Sequence, residues 1–176
     1  SGENDRQLAQ DELPQSASGK TIMTTEPKFI PKEAVSINVT DNLDMKVKMI
    51  DCVGYVVKDA EGQFEDGKER MVRTPWFDYD IPFSKAAEIG TNKVINNHST
   101  VGIVVTTDGS FGELPRESYL EAEQKTVDEL KAIGKPFVIL LNTDKPSSSQ
   151  TAALSAEMSD TYGASVIPVN VEQLRE

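Results

Sequence analysis

Three short stretches of this sequence carry residue types suited to phosphate chemistry. In Met49-Ile50-Asp51-Cys52-Val53-Gly54 an apolar run delivers an aspartate and, three residues on, a glycine. In a nucleotide hydrolase this D-x-x-G spacing sets a carboxylate beside Mg²⁺, usually through its water shell, while the glycine lets a backbone N–H approach the terminal phosphate. Thr24 and Thr25 come earlier, where a threonine hydroxyl completes the metal shell and senses that phosphate. Neighbouring residues of an extended segment point to opposite sides, so one threonine faces the metal at a time. The third stretch is Asn142-Thr143-Asp144-Lys145, directly after an apolar run, in the place of a base-reading N-K-x-D loop. Taken singly, each has a plainer reading: an Asp closing a strand, two β-formers in a loop, Asn and Asp in a turn. Their order shifts the balance, because all three fall at successive strand ends. The candidates are Thr24, Thr25 and Asp51 for catalysis, Thr25 and Asp51 for Mg²⁺, and Thr25, Asp51, Gly54, Asn142 and Asp144 for nucleotide.

Gly19-Lys20-Thr21 imitates the end of a G-x-x-x-x-G-K-[ST] phosphate loop, but Pro14 stands where the first glycine belongs. Proline has neither the N–H nor the backbone freedom that position uses. The flanks disagree as well, since no apolar strand precedes it and an extended stretch follows. The remaining singular residues read as structural. His98, the one histidine, sits near a helix end and suits capping; Cys52 reads as a small buried residue; Glu113, Glu117, Glu121 and Glu123 read as a solvated helix face.

The third stretch also bears on which base is taken. Guanine is selected by an aspartate at the fourth position, and here that residue is Lys145, which has donors only. Thr143 replaces the lysine that covers the base. GTP is therefore expected to hold no advantage over ATP, and exchanging Thr143→Lys together with Lys145→Asp is expected to move selectivity toward guanine.

These residues need a sheet to position them. The chain of 176 residues is long enough for one domain with a core. Its formal net charge of −11 repels a phosphate polymer, which excludes nucleic acid as a partner held by bulk attraction. One cysteine cannot make an internal disulfide, and no apolar run reaches the ~18–20 residues of a membrane span. A reducing compartment and a soluble protein are expected, and Ser1-Gly2 has the look of a tag-removal scar. Residues 1–20, polar and acidic, are expected to be flexible, with residues 21–176 as the domain.

Val35-Ser36-Ile37-Asn38-Val39 and Met45-Lys46-Val47-Lys48-Met49 alternate around Asp41-Asn42, predicting an antiparallel hairpin with one buried face. Residues 52–83 read as long and irregular, with Trp76 and Phe77 as a candidate docking surface if the domain is only a scaffold. Ser84 suggests the cap of a helix over about 85–97. Val101-Gly102-Ile103-Val104-Val105 and Pro136 to Leu141 read as strands buried on both faces. Tyr119, Ala122, Val127, Leu130 and Ile133 mark a helix stopping at Gly134; a helix over about 148–161 and a strand through Val166-Ile167-Pro168-Val169 follow. The class is α/β, a mostly parallel sheet with one antiparallel hairpin.

The runs "QDELPQSASGKTIMTTEPKFIP", "MIDCVGYVV", "ERMVRTPWFDYDIPF", "AAEIGTNKVI", "HSTVGIVVTTDGS" and "LPRESYLEAEQKTVDELKAIGKPFVILLN" closely resemble the N-terminal nucleotide-hydrolysing domain of the stage IV sporulation protein A family. The resemblance implies a GTPase-like, translation-factor-related P-loop NTPase fold that acts as an ATPase with ATP and Mg²⁺. It implies Thr24 and Thr25 as the threonine sensor pair and Asp51 as the Walker B acid, with "ASGKT" as the approach to the first switch. The family's own P-loop strand and helix lie upstream of the matched region and are expected to be missing here. By the same resemblance, the parent is expected to self-associate into a polymer in the mother-cell cytoplasm, on the outer surface of the developing spore, meeting spore coat proteins and a small membrane-anchoring peptide through its other parts.

Overall fold

The computed structural model describes residues 28–174. Strands β1 (Lys28–Thr40) and β2 (Leu43–Asp51) form the expected hairpin, longer than the alternating stretches alone, turning at Asp41 and Asn42 and irregular between Ile30 and Val35. One expectation fails here. The register sets Val35 opposite Val47 and Ile37 opposite Met45 on one apolar face, yet Val35, Ile37, Val39, Leu43, Met45 and Met49 all stand exposed among the described residues. Alternation specifies an apolar face; it does not supply the layer that covers it.

The region after Asp51 is more ordered than its composition suggests. Strands β3 (Phe64–Glu65) and β4 (Lys68–Glu69) pair across a tight Asp66-Gly67 turn, and β5 (Met71–Val72) pairs with β6 (Ile81–Pro82). Helix α1 (Phe83–Lys93) starts from Pro82, whose fixed φ suits a helix start, and Ser84 lies inside the helix with its hydroxyl donating to Glu69 instead of capping. A π-helical turn, Val94–His98, continues the helix. Its end carbonyls are met by the Lys135 ammonium, which donates to the carbonyls of Ile95, Asn96 and Ser99. A cation there answers the negative end of the helix dipole.

Three parallel strands follow, β7 (Gly102–Thr107), β8 (Phe137–Asn142) and β9 (Val166–Val169), in the order β7-β8-β9. Helices α2 (Leu120–Ala132) and α3 (Ser149–Tyr162) connect them. Ser148 caps α3 by accepting from Thr151 N–H at 3.1 Å. Parallel crossovers are right-handed, so two that step in one direction lay both helices on one face. Val127 and Leu130 of α2 and Met158 and Tyr162 of α3 accordingly pack with Val104, Ile139 and Leu141 in the core. Among the described residues the opposite face is open at β7, where Val101, Ile103 and Val105 are 56%, 55% and 63% exposed, and half-covered at β8, where Val138 and Leu140 are half-buried, against the expectation of strands buried on both sides. No ladder among the described residues joins the hairpin to this sheet.

Candidate functional site

The carboxyl ends of the three parallel strands hold one hydrogen-bonded unit. The loop after β7 opens with Asp108-Gly109-Ser110, and Asp108 Oδ1 accepts from Ser110 N–H at 2.9 Å and from Ser110 Oγ at 2.5 Å. Its other oxygen, Oδ2, accepts from Thr143 Oγ1 at 2.6 Å, joining the loop after β7 to the loop after β8. Thr143 Oγ1 in turn accepts from Lys145 N–H at 3.2 Å, and Ser110 Oγ accepts from Asp144 N–H at 3.0 Å. Asn142 Oδ1 accepts from Val171 N–H at 3.0 Å, which ties in the loop after β9. Burial works against the Asp108 charge, but the bonds from Ser110 and Thr143 outweigh it and hold the carboxyl below its ordinary range.

Beneath this loop lies a buried ion pair. Arg116, in the 3₁₀ turn Arg116–Tyr119, gives both terminal nitrogens to Glu123 of α2, at 2.5 and 2.6 Å, and Tyr162 of α3 donates to Glu123 Oε1 at 2.6 Å. Arg116 Nη1 also reaches Thr106 Oγ1 (3.1 Å) and the Thr107 carbonyl (3.3 Å), the two residues ahead of Asp108. Glu123 is thus no part of a solvated face: burial opposes its charge, and Arg116, Thr106 and Tyr162 together hold its carboxyl low. Gly109, at φ +90°, lets the loop fold back, since a Cβ there would sit 2.9 Å from Arg116 N.

Asp51 closes β2, opposite Lys28 in the register. Gly54 follows at φ +78°, with open space where a side chain would be. Tyr55 fastens this segment to the body: its ring lies under the Lys125 ammonium at 4.4 Å, and its hydroxyl donates to Glu129, which also accepts from Asn92 of α1 at 2.9 Å. Lys58 N–H reaches the Ser118 carbonyl at 3.1 Å. Cys52 is half-buried, and that burial pushes its thiol up, away from nucleophilic use. Trp76 carries Lys93 over its ring at 5.7 Å, and Phe77 stacks against Tyr79, so both aromatics are engaged within the chain.

Of the residues named from the sequence, Asn142 and Asp144 enter one unit with Asp108, Ser110 and Thr143. Asp51 and Gly54 belong to the hairpin side, tethered through Tyr55 to α2. Thr24 and Thr25 lie outside the described residues, as does the Pro14–Pro27 stretch. Thr143 holds the place of the base-covering lysine in sequence but not its exposure. It is fully buried, so Thr143→Lys would displace the Asp108 contact before its ammonium could reach a base. Asp108, Arg116, Glu123 and Tyr55 were missed. For Asp108 the signal existed, an aspartate shortly after the apolar run Val101–Val105, followed here directly by a glycine and at Asp51 only three residues on. For Glu123 there was none, because Arg116 lies in the 3₁₀ turn ahead of α2 and reaches Glu123 only by folding back against it.

Among the described residues no three or more carboxylate, histidine or cysteine groups gather to hold a metal. Asp51, at the end of β2, is a hard oxygen donor of the type Mg²⁺ takes, one or two carboxylates beside waters and substrate phosphates.

The family model for the stage IV sporulation protein A ATPase domain matches residues 1–176. The chain belongs to the stage IV sporulation protein A family. It is similar to stage IV sporulation protein A of Bacillus anthracis, 54% identical over 174 residues, which is 99% of this chain and 35% of that protein. The protein of the same name in Bacillus subtilis (strain 168) is 51% identical over 176 residues, all of this chain and 36% of its own length. That of Clostridioides difficile (strain 630) is 52% identical over 166 residues, 94% of this chain and 34% of its own. This member of the stage IV sporulation protein A family therefore spans about a third of the length of the relatives it matches. No solved structure matches.

Proposed function

We propose that this chain is the metal- and base-binding part of an ATPase domain that works in sporulation, on a GTPase-like P-loop fold whose phosphate-binding strand, loop and helix come from elsewhere in the parent protein. The observation that carries the reading is the bonded unit at the carboxyl edge of a parallel sheet, where open α/β sheets take their ligands, in a chain matched by an ATPase-domain family model. The β7 side of the sheet, open and unpaired at its edge among the described residues, supports it. A further parallel strand beside β7 would start crossovers in the opposite direction and lay its helix on the uncovered side.

In this reading Asp51 and Thr25 hold the water shell of Mg²⁺, with Thr24 beside them as the second member of a sensor pair. Gly54 offers its N–H to the terminal phosphate. Asn142 and Asp144 shape the pocket for the base, and Tyr55 keeps the segment after Asp51 seated on α2. Bound Mg²⁺ supplies positive charge to the phosphate oxygens as the bond to the leaving group weakens. The residues themselves position and orient; none needs to form a covalent bond. In the parent, turnover drives self-association into a polymer on the outer surface of the developing spore, in the mother-cell cytoplasm, where spore coat proteins and a small membrane-anchoring peptide meet other parts of the protein.

The test is steady-state hydrolysis of Mg·ATP by the parent protein and its Asp51→Ala variant. The carboxylate matters most as charge develops, so turnover should fall by about a hundredfold or more while ATP affinity changes by less than about tenfold. A folded Asp51→Ala variant working at the parental rate would refute the metal assignment.

A further inference from the structure

Asp108 does not belong to any of the three stretches that sequence motifs pick out, yet it is the hub on which the loop after β8 is hung. Both its oxygens accept: Oδ1 from Ser110 of its own loop, Oδ2 from Thr143 of the loop after β8. Through these two residues it reaches the backbone of the next loop, since Thr143 Oγ1 takes Lys145 N–H and Ser110 Oγ takes Asp144 N–H. Two consecutive amides of the base-side loop are therefore anchored, through these two hydroxyls, to one carboxylate in the loop after β7. The carboxylate is anchored in its turn, because Arg116 holds the Thr107 carbonyl immediately before it and Gly109 folds the chain back against Arg116.

We propose that Asp108 is a positioning residue for nucleotide binding, acting through Thr143 and Ser110 to fix the Asn142–Lys145 loop in the conformation that receives the base. The proposal rests on the ATPase reading above and adds the device that sets its base subsite. Its energetic signature follows from where the loop lies relative to the chemistry. A base is held alike in the ground state and the transition state, so loosening its loop removes uniform binding, which raises KM and leaves kcat alone. The phosphate side is untouched.

The experiment uses the full parent protein and compares Thr143→Val with Thr143→Ser. Valine keeps the shape of a fully buried side chain and deletes the hydroxyl; serine restores the hydroxyl. Thr143→Val should raise the KM for ATP by about tenfold with kcat within about twofold of parental, and Thr143→Ser should return KM most of the way. Inorganic tripolyphosphate, which has phosphates and no base, serves as the second probe, and its inhibition constant should be unchanged by Thr143→Val. Asp108→Asn, which replaces one of the two acceptor oxygens by an amide NH₂ and so leaves either Ser110 or Thr143 without its acceptor, should act in the same direction on ATP alone. Parental KM in Thr143→Val, or equal weakening of ATP and tripolyphosphate, overturns the proposal while leaving the ATPase reading in place. A parent protein that hydrolyses no ATP overturns the ATPase reading, and this proposal falls with it.

Discussion

Glu123→Ala tests the foundation of the site. In the folded chain the Glu123 side chain is 1% exposed and that of Arg116 15%, and the carboxylate takes two short bonds from the guanidinium and one from Tyr162. Truncating it leaves a guanidinium in the interior with its countercharge gone. Two charge-assisted bonds at about 1.5–3 kcal/mol each and the measured cost of breaking buried pairs, about 3–5 kcal/mol, agree on a loss of about 4 kcal/mol. Removing both charges together is a different perturbation. In Arg116→Met with Glu123→Leu no charge is stranded, and such swaps are near neutral. Hydrogen exchange of the parent protein, followed by mass spectrometry on peptides from β7, α2 and α3, reads both cases. The single variant should lose about a thousandfold protection in its slowest amides, at 1.4 kcal/mol per decade, and the double variant less than about tenfold. Protection within threefold of parental in Glu123→Ala, or equal damage in the double variant, would refute the account of a stranded charge.

Three other outcomes follow from the same geometry. Competition binding to the parent protein should show no advantage of GTP over ATP, because Lys145 has no acceptor for guanine and the Thr143 hydroxyl is committed to Asp108; a large GTP preference would count against it. Glu123 and Asp108 have folded-state values held below their ordinary 4.5 and 3.8, so their stabilisation is present above those values and is lost as pH falls through the lower folded ones. Exchange protection around α2 should therefore collapse on acidification below about pH 4.5, and Glu123→Gln should flatten that dependence; an unchanged acid profile would contradict it. Gly109→Ala should cost about 1–3 kcal/mol by the same exchange measurement. Gly112→Ala, at φ +79° with open space for a Cβ, should cost less, and equal losses would show that the contact with Arg116 does not matter.

How much of this was legible depended on whether a signal was local. Helix α3 was, because Ser148 accepts its cap bond and Gly163 ends it in the left-handed conformation. The runs at β7 and β8 gave strands of the right length for the same reason, short apolar stretches between turn residues. What covers each face is a non-local fact, and the run from Val101 to Val105 could not say that its second side stands bare. Glu123 has the spacing of a surface glutamate, since periodicity sees the helix and not Arg116 folded against it. The two-residue strands β3 to β6 are too short to carry a period at all. The motif supplies a loop position for Thr143 and is silent on its partner, because Asp108 lies in the loop of a different strand.

The open β7 side of the parallel sheet has a practical consequence for this stretch handled by itself. The β7 edge, unpaired among the described residues and next to exposed Val101, Ile103 and Val105, is a template for pairing with another copy. What opposes such pairing is mutual repulsion from a net charge of −11, which acts across roughly 30 Å at 0.01 M salt and only about 3 Å at 1 M. Its colloidal behaviour should thus be set by ionic strength, dispersed in dilute buffer and turbid as salt is raised.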